Sequence, residues 1–401
     1  MKRVLRLLHI FVWVLLCWSS TQRIQAQRPL SPEATISLLT FAPSEDEIYT
    51  VYGHAALRVH DPAQQLDLVF SYGVFNFNEP HFVYRFTKGE TDYQLGIASF
   101  QNYLMEYQMR GSQITEQTLQ LLPEEKEAVW QALQINYRPE NRRYRYNFFF
   151  DNCATRPVRL IEQCVQGELD YGDPYPTETF RTLINRCTRH FPWLTFGCDL
   201  ALGSPADRMA TQHEMMFLPP YLQRACSQAI IHTADGKTRQ LVGETRFIGV
   251  GSDDEPEDTG SLCSPLFIGW ILFGCIGWLT ISEWRRATYW PWIDRILFSI
   301  AGLAGCLLAF LSFLSSHPCT YPNWNLGWLH PFHLIGVVLL CVKSWKKGAI
   351  CYHFINFAAL CVGLVAWPFI PQHFNAAFFP LVLTLACRSG WSIYRTIWTK
   401  E

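Results

Sequence analysis

Two hydrophobic patterns divide the chain. In the N-terminal part, short runs rich in β formers cover Ile36 to Phe41, Ala55 to His60 and Leu66 to Tyr72, the length and residue types of strands. Asp61-Pro62 with Gln64-Gln65 supplies a turn between the second and third runs. This predicts a hairpin with His54 at its open end. Residues 99 to 135 change to helical spacing, with Phe100, Tyr103, Leu104 and Tyr107, then Val129 and Leu133 behind the helix-start signal Pro123-Glu124-Glu125. Strands with interposed helices predict an α+β domain over 33–165. Helical pieces around 177–189 and 213–225 make 166–250 an appended, mainly helical region. It is expected either to roof the groove of the first domain or to pack beside it.

Beyond an acidic, breaker-rich linker over 251–261, including Asp253-Asp254-Glu255-Pro256-Glu257-Asp258, the pattern changes completely. Apolar runs at roughly 263–282, 296–314, 328–342, 350–369 and 375–392 approach bilayer-spanning length. They predict a transmembrane domain of about five helices over 262–395. The 283–295 loop holds Arg285, Arg286 and Arg295, the 343–349 loop holds Lys343, Lys346 and Lys347, and the tail holds Arg388, Arg395 and Lys400. The alternate loops, 315–327 and 370–374, hold no Lys or Arg. That asymmetry puts the C-terminus in the cytoplasm and the N-terminal domain outside.

The first 26 residues agree. Lys2, Arg3 and Arg6 precede the apolar run Leu7 to Trp18, and Ile24-Gln25-Ala26 follows, the pattern of a secretory signal peptide over 1–26. Leu16 stands before Cys17, where a lipoprotein signal wants a small residue, so the protein is not expected to be lipidated. The expected location is a bacterial inner membrane, multi-pass, with the first domain in the periplasm. A net charge of −1 gives no basic field for nucleic acid. Cys164, Cys187, Cys198 and Cys226 lie with Cys153 in the exported part, where an oxidising compartment permits disulfides with three complete pairings. No Cys-x-x-Cys occurs, so the spacing is not that of a zinc site.

The chemistry centres on Asp151-Asn152-Cys153-Ala154-Thr155-Arg156. An aromatic, strand-like segment, Tyr144 to Phe150, runs ahead of it, and Val158 to Cys164 behind it has helical spacing. Cys153 is therefore expected in the first helical turn, where unpaired N–H groups favour the nucleophilic thiolate. Its expected base is His54, in Tyr52-Gly53-His54-Ala55-Ala56-Leu57-Arg58-Val59. A cysteine with a distant histidine is the sequence trace of a Cys-His nucleophilic pair. Alone, each residue reads more simply as a buried thiol and a structural histidine. The third member of the site stays open between Tyr72, expected roughly opposite His54, and Asp67.

Gly-His at the head of a hairpin followed by Asn-Cys at a helix start resembles the permuted papain-like hydrolases and acyltransferases that include lecithin:retinol acyltransferase. More closely, the chain resembles the Bacteroidota lipoprotein N-acyltransferase Lnb family. The resemblance is carried by Glu47-Ile48-Tyr49, the His54 block, Tyr72-Gly73-Val74-Phe75-Asn76-Phe77, Glu116-Gln117-Thr118-Leu119, Tyr144-Arg145-Tyr146-Asn147-Phe148, the Cys153 block and Phe196-Gly197-Cys198-Asp199-Leu200-Ala201-Leu202-Gly203. It implies a permuted papain-like catalytic domain followed by transmembrane helices. It also implies acyl transfer from a membrane phospholipid, through a Cys153 thioester, to the α-amine of a diacylated lipoprotein, with no metal and no organic cofactor. Two other classes are a papain-like cell-wall peptidase or amidase, and a non-catalytic membrane assembly factor. His317, Asn323, Asn325 and His330 lie in an outer loop expected either to anchor at the interface with Trp324 and Trp328 or to hold a phospholipid headgroup.

Overall fold

The computed structural model describes residues 29–44, 47, 50–173, 175–249 and 263–398. The expected signal peptide and acidic linker lie outside the described residues. In chain order the periplasmic elements are β1 (Thr35–Phe41), β2 (His54–Asp61), β3 (Leu66–Val74), α1 (Phe82–Lys88), β4 (Asp92–Ser99), α2 (Phe100–Met109), β5 (Ile114–Leu119), α3 (Pro123–Tyr137), β6 (Arg143–Arg145) and α4 (Thr155–Cys164). They continue with β7 (Glu168–Asp170), α5 (Phe180–Thr188), α6 (Pro192–Ala201), α7 (Gln212–Met215), α8 (Pro219–Gln228), β8 (Ile230–His232), β9 (Thr238–Gln240) and β10 (Val242–Ile248).

Seven strands form one sheet in the order β10-β5-β1-β2-β3-β4-β6, antiparallel throughout. Both faces of its centre are covered, and strand alternation decides which residue goes to which side. Leu38, Leu57, Phe70 and Tyr72 face Val129 and Leu133 of α3 and Val158 and Ile161 of α4. Leu39, Phe41, Ala56 and Val69 face Phe100 and Tyr107 of α2. The β2–β3 hairpin turns where expected, through a short 3₁₀ turn at Pro62–Gln64 whose N-cap is Asp61. The boundary near 165 does not separate two folding units, because β10 returns from the appended region to form the sheet edge beside β5. A small sheet, β7-β8-β9, also forms there.

Five helices follow: α9 (Pro265–Arg285), α10 (Pro291–Phe313), α11 (Phe332–Cys341), α12 (Lys346–Ala366) and α13 (Phe378–Trp398). Among the described residues, four segments are long and apolar enough to cross a membrane, the third being Trp324–Cys341, in which α11 is preceded by a 3₁₀ turn. The fifth, α13, packs against α9 and α12. Its Arg388 is fully buried between Glu283 of α9 and Asp294 of α10, at 2.6 Å from each. This corrects the reading of Arg388 as a cytoplasmic tail charge. The remaining Lys and Arg residues keep the same asymmetry across the loops.

The two parts are joined through Asp199 of α6. Its carboxylate holds the buried Arg181 at 3.1 Å and accepts from Asn375 Nδ2 at 2.9 Å. Asn323 and Asn325 donate to the carbonyls of Asp199, Leu200 and Ala201.

Candidate functional site

His54 opens β2 because Gly53 lets the chain turn there. Gly53 has φ +73°, and a Cβ at that position would stand 2.7 Å from the Phe41 carbonyl oxygen. His54 lies opposite Phe41 in β1, and its ring tilts against the Phe41 ring at 5.7 Å. Its Nε2 is 2.7 Å from Ser71 Oγ, a hydroxyl shared with Tyr103 of α2. Burial, reinforced by the Arg110 guanidinium, lowers the imidazole from 6.5 to about 4. It is therefore neutral at physiological pH and able to accept a proton.

Neither expected third member meets His54. The β2–β3 register pairs Leu57 with Phe70 and Asp61 with Leu66, and extending it sets Gly73 opposite His54. Tyr72 is one residue out of phase, and with period-two alternation it points to the other face of the sheet. There its hydroxyl accepts from Asn136 at 2.8 Å. Asp67 is paired with Arg58 at 2.7 Å. Ser71 takes the position beside the imidazole, and the signal for it was the register, off by one in the sequence reading.

Cys153 stands two residues before α4, not inside its first turn. The helix is started by the buried Asn152, whose Oδ1 accepts the Ala154 and Thr155 N–H groups at 2.8 and 2.9 Å. Its Nδ2 donates to the Phe148 and Phe217 carbonyls at 2.8 Å each. Burial pushes the Cys153 thiol up to about 11, against the opposing pull of the N–H groups of Ala55, Cys153 and Ala154. Desolvation thus works against the expected thiolate and outweighs the helix start, part of whose donor capacity Asn152 already occupies.

The Ala55 contact brings the two motifs together. The sulfur receives the N–H of the residue next to His54 where β3 leaves the ladder, its pairing with β4 shifting between Ser71 and Val74. Gly73 makes the room. It has φ +96°, and a Cβ there would lie 3.6 Å from that of Cys153. The His54 and Cys153 side chains are not hydrogen-bonded to one another in this state.

A cleft of about 400 Å³ opens over His54, Ser71 and Gly73, walled by Phe75, Phe77, Tyr103, Tyr107 and Arg110 among others. All of its lining residues fall between Ala42 and Arg110, so neither Cys153 nor the 166–250 region lines this cleft. Among the described residues no group of three or more His, Cys, Asp and Glu could hold a metal. Three of the outer-loop residues are engaged in joining the two parts of the protein: besides the Asn323 and Asn325 bonds, His317 Nε2 lies 2.7 Å from the Phe86 carbonyl oxygen, whereas His330 stays within the membrane part, stacked on His333 at 3.8 Å. Cys164, Cys187, Cys198 and Cys226 are unpaired thiols.

Residues 24–186 match the model of the Lnb N-terminal periplasmic domain, and residues 257–400 match that of the Lnb transmembrane domain. No curated protein and no solved structure gives a match.

Proposed function

The chain belongs to the Lnb family, an inner-membrane, multi-pass protein with a periplasmic domain and a role in lipoprotein processing, and from that premise we propose that it is a cysteine-dependent lipoprotein N-acyltransferase. Its catalytic domain is read as permuted papain-like, with His54 ahead of Cys153 in the chain. The acyl donor is a membrane phospholipid and the acceptor is the α-amine of a diacylglyceryl-cysteine lipoprotein.

With Nε2 on Ser71, His54 Nδ1 is the nitrogen that takes the thiol proton. Both pKa shifts disfavour a resting thiolate–imidazolium pair, so proton transfer accompanies sulfur attack on the donor's ester carbonyl. The tetrahedral oxyanion is held by the Ala55 and Cys153 N–H groups, a donor pair of the kind whose loss typically costs about 3 kcal/mol per member. As the ester C–O bond breaks, the imidazolium returns its proton to the leaving alcohol, and a lysophospholipid departs. The lipoprotein amine then attacks the thioester, His54 accepts the amine proton, and the sulfur leaves and is reprotonated from the imidazolium. The amide product carries the acyl group.

One observation supports this reading above the others: the Cys153 sulfur meets the backbone beside His54 at a glycine-lined opening in the sheet. The experiment is expression of the wild type and Cys153→Ala in cells lacking N-terminal lipoprotein acylation, with lipopeptide masses read by mass spectrometry. The wild type should add one acyl mass and the variant none. Unchanged diacyl masses with well-expressed wild type would overturn the proposal, and altered muropeptides would favour a cell-wall peptidase.

A further inference from the structure

The short helix α1 is not used by the chemistry above, and its side chains are sorted in an unusual way. Its cation Arg85 is turned back onto the protein, with Nη1 2.8 Å from Glu79 and Nη2 3.1 Å from Asp92. Lys88 pairs with Glu90. Val83, Tyr84 and Phe86 are left outward, 77%, 57% and 49% exposed. A helix end of that composition in open water would be costly.

It does not stand in open water. The Ser316 N–H donates to the Lys88 carbonyl at 2.9 Å, His317 meets the Phe86 carbonyl, and the Tyr84 ring lies 6.2 Å from Phe310. Phe310 is three residues from the outer end of the membrane-spanning α10, about 4.5 Å along the helix axis. Phe313 and Leu314 at that end are themselves exposed. The outward face of α1 is therefore continuous with the lipid-facing surface of the bundle, at the level of the outer leaflet.

An aromatic row leads inward from this point. Phe86 stacks on Phe82 at 6.0 Å, Phe82 meets Phe77 at 5.1 Å, and Phe77 meets Phe75 at 4.7 Å. Phe75 lies 5.1 Å from Tyr93, which stacks on Tyr146 at 4.2 Å. Tyr146 and Cys153 both border the Gly73 opening. Phe75 and Phe77 also wall the cleft over His54.

We propose that α1 is inserted into the outer leaflet of the bilayer and that the row from Phe86 to Tyr146 is the path by which a lipid acyl chain leaves the membrane for Cys153. The second half rests on the acyltransferase reading; the first does not. The occupant is the bilayer itself, chosen by the continuity with α10 and by the pairing of both cations with carboxylates, Arg85 with Glu79 and Asp92 and Lys88 with Glu90.

The test places a benzophenone amino acid singly at Val83, Phe77 or, as a control, Lys237 in the exposed β8–β9 turn, each in a Cys153→Ala background. The full-length protein is reconstituted in vesicles of phosphatidylethanolamine and phosphatidylglycerol with alkyne-tagged acyl chains. Irradiation should yield tagged-lipid adducts at 83 and 77 and none at 237. An adduct at 83 without one at 77 overturns the path, and none at 83, or equal labelling at 237, overturns the insertion. No step needs catalysis, so failure of the acyltransferase reading would be seen separately, in the lipopeptide masses. With Cys153 intact, the double variant Val83→Glu, Phe86→Glu should lower acyl transfer from vesicle phospholipid about tenfold or more at unchanged thermal midpoint. Full activity in that variant would count against both halves.

Discussion

Asn152 is the residue whose loss should tell most about how the nucleophile is held. Its side chain, 3% exposed, makes four hydrogen bonds: Oδ1 with the Ala154 and Thr155 N–H groups, and Nδ2 with the Phe148 and Phe217 carbonyls. Asn152→Ala removes the helix-start acceptor, which typically costs about 1 kcal/mol. It also strands two carbonyls in a site that water does not readily reach, at about 1 kcal/mol or more each. Part of this is recovered by relaxation, and a net loss of about 3 kcal/mol is expected. For a domain of this size that is a fall of about 6–12 °C in the thermal midpoint. The same change frees the turn that presents Cys153 to the Ala55 N–H, and a misplacement of about 1 Å at a reacting centre can cost about a hundredfold in rate. The assay pairs thermal unfolding of the detergent-purified protein with the single-turnover rate of acyl-Cys153 formation, followed by intact mass. Asn141→Ala serves as comparator, because that side chain makes a single exposed bond to the Ile135 carbonyl and should shift stability by only about 0.5 kcal/mol or less. If Asn152→Ala melted with the wild type and acylated at the wild-type rate, the assignment of Asn152 as the scaffold of the nucleophile would be wrong.

Other expectations follow from the same geometry. Gly53→Ala forces a Cβ to within 2.7 Å of the Phe41 carbonyl oxygen at φ +73°, so His54 must shift; Cys153 acylation should slow about tenfold or more, with total protein and membrane insertion unchanged on immunoblots. Because burial and Arg110 hold His54 at about 4, the acid limb of Cys153 acylation in the free enzyme should lie well below 6.5. Arg110→Ala removes a repelling cation, favours the imidazolium and should move that limb to higher pH; a limb that stays put or moves down would exclude the Arg110 effect. Tyr72→Phe removes only the hydroxyl that accepts from Asn136, so about 1 kcal/mol of stability should go while the acylation rate is kept. Arg388→Met leaves Glu283 and Asp294 buried without their cation, a loss of about 3–5 kcal/mol, read as a lower midpoint for the membrane bundle; replacing all three by apolar residues should restore most of it.

The chain carried its architecture openly in its pattern. β-former runs marked β1, β2 and β3, helical spacing marked α2 and α3, and apolar length with loop charge marked the bundle and its orientation, because periodicity and hydropathy are local properties that burial reads directly. Gly53-His54 and Asn152-Cys153 were legible as a candidate site for the same reason: each rests on a local device, a positive-φ glycine or a helix-starting amide, that has a sequence signature. What surrounds them was not legible. Ser71 rather than Tyr72 meets His54 because the strand register differs by one residue from the sequence reading, and a single step reverses the face on which every side chain lies. The thiol at 153 is pushed up because burial, a quantity set by residues far away in the chain, outweighs the local pull of backbone N–H groups. Arg388 looked like a cytoplasmic charge and is the centre of a buried ion triad, and Asn325, in a loop read either as an interfacial anchor or as a headgroup site, docks onto Asp199 and Leu200. In each case the partner comes from another element, 94 or more residues away for the Arg388–Asp294 and Asn325–Asp199 contacts, and only packing of the whole chain decides which of several polar groups it will meet.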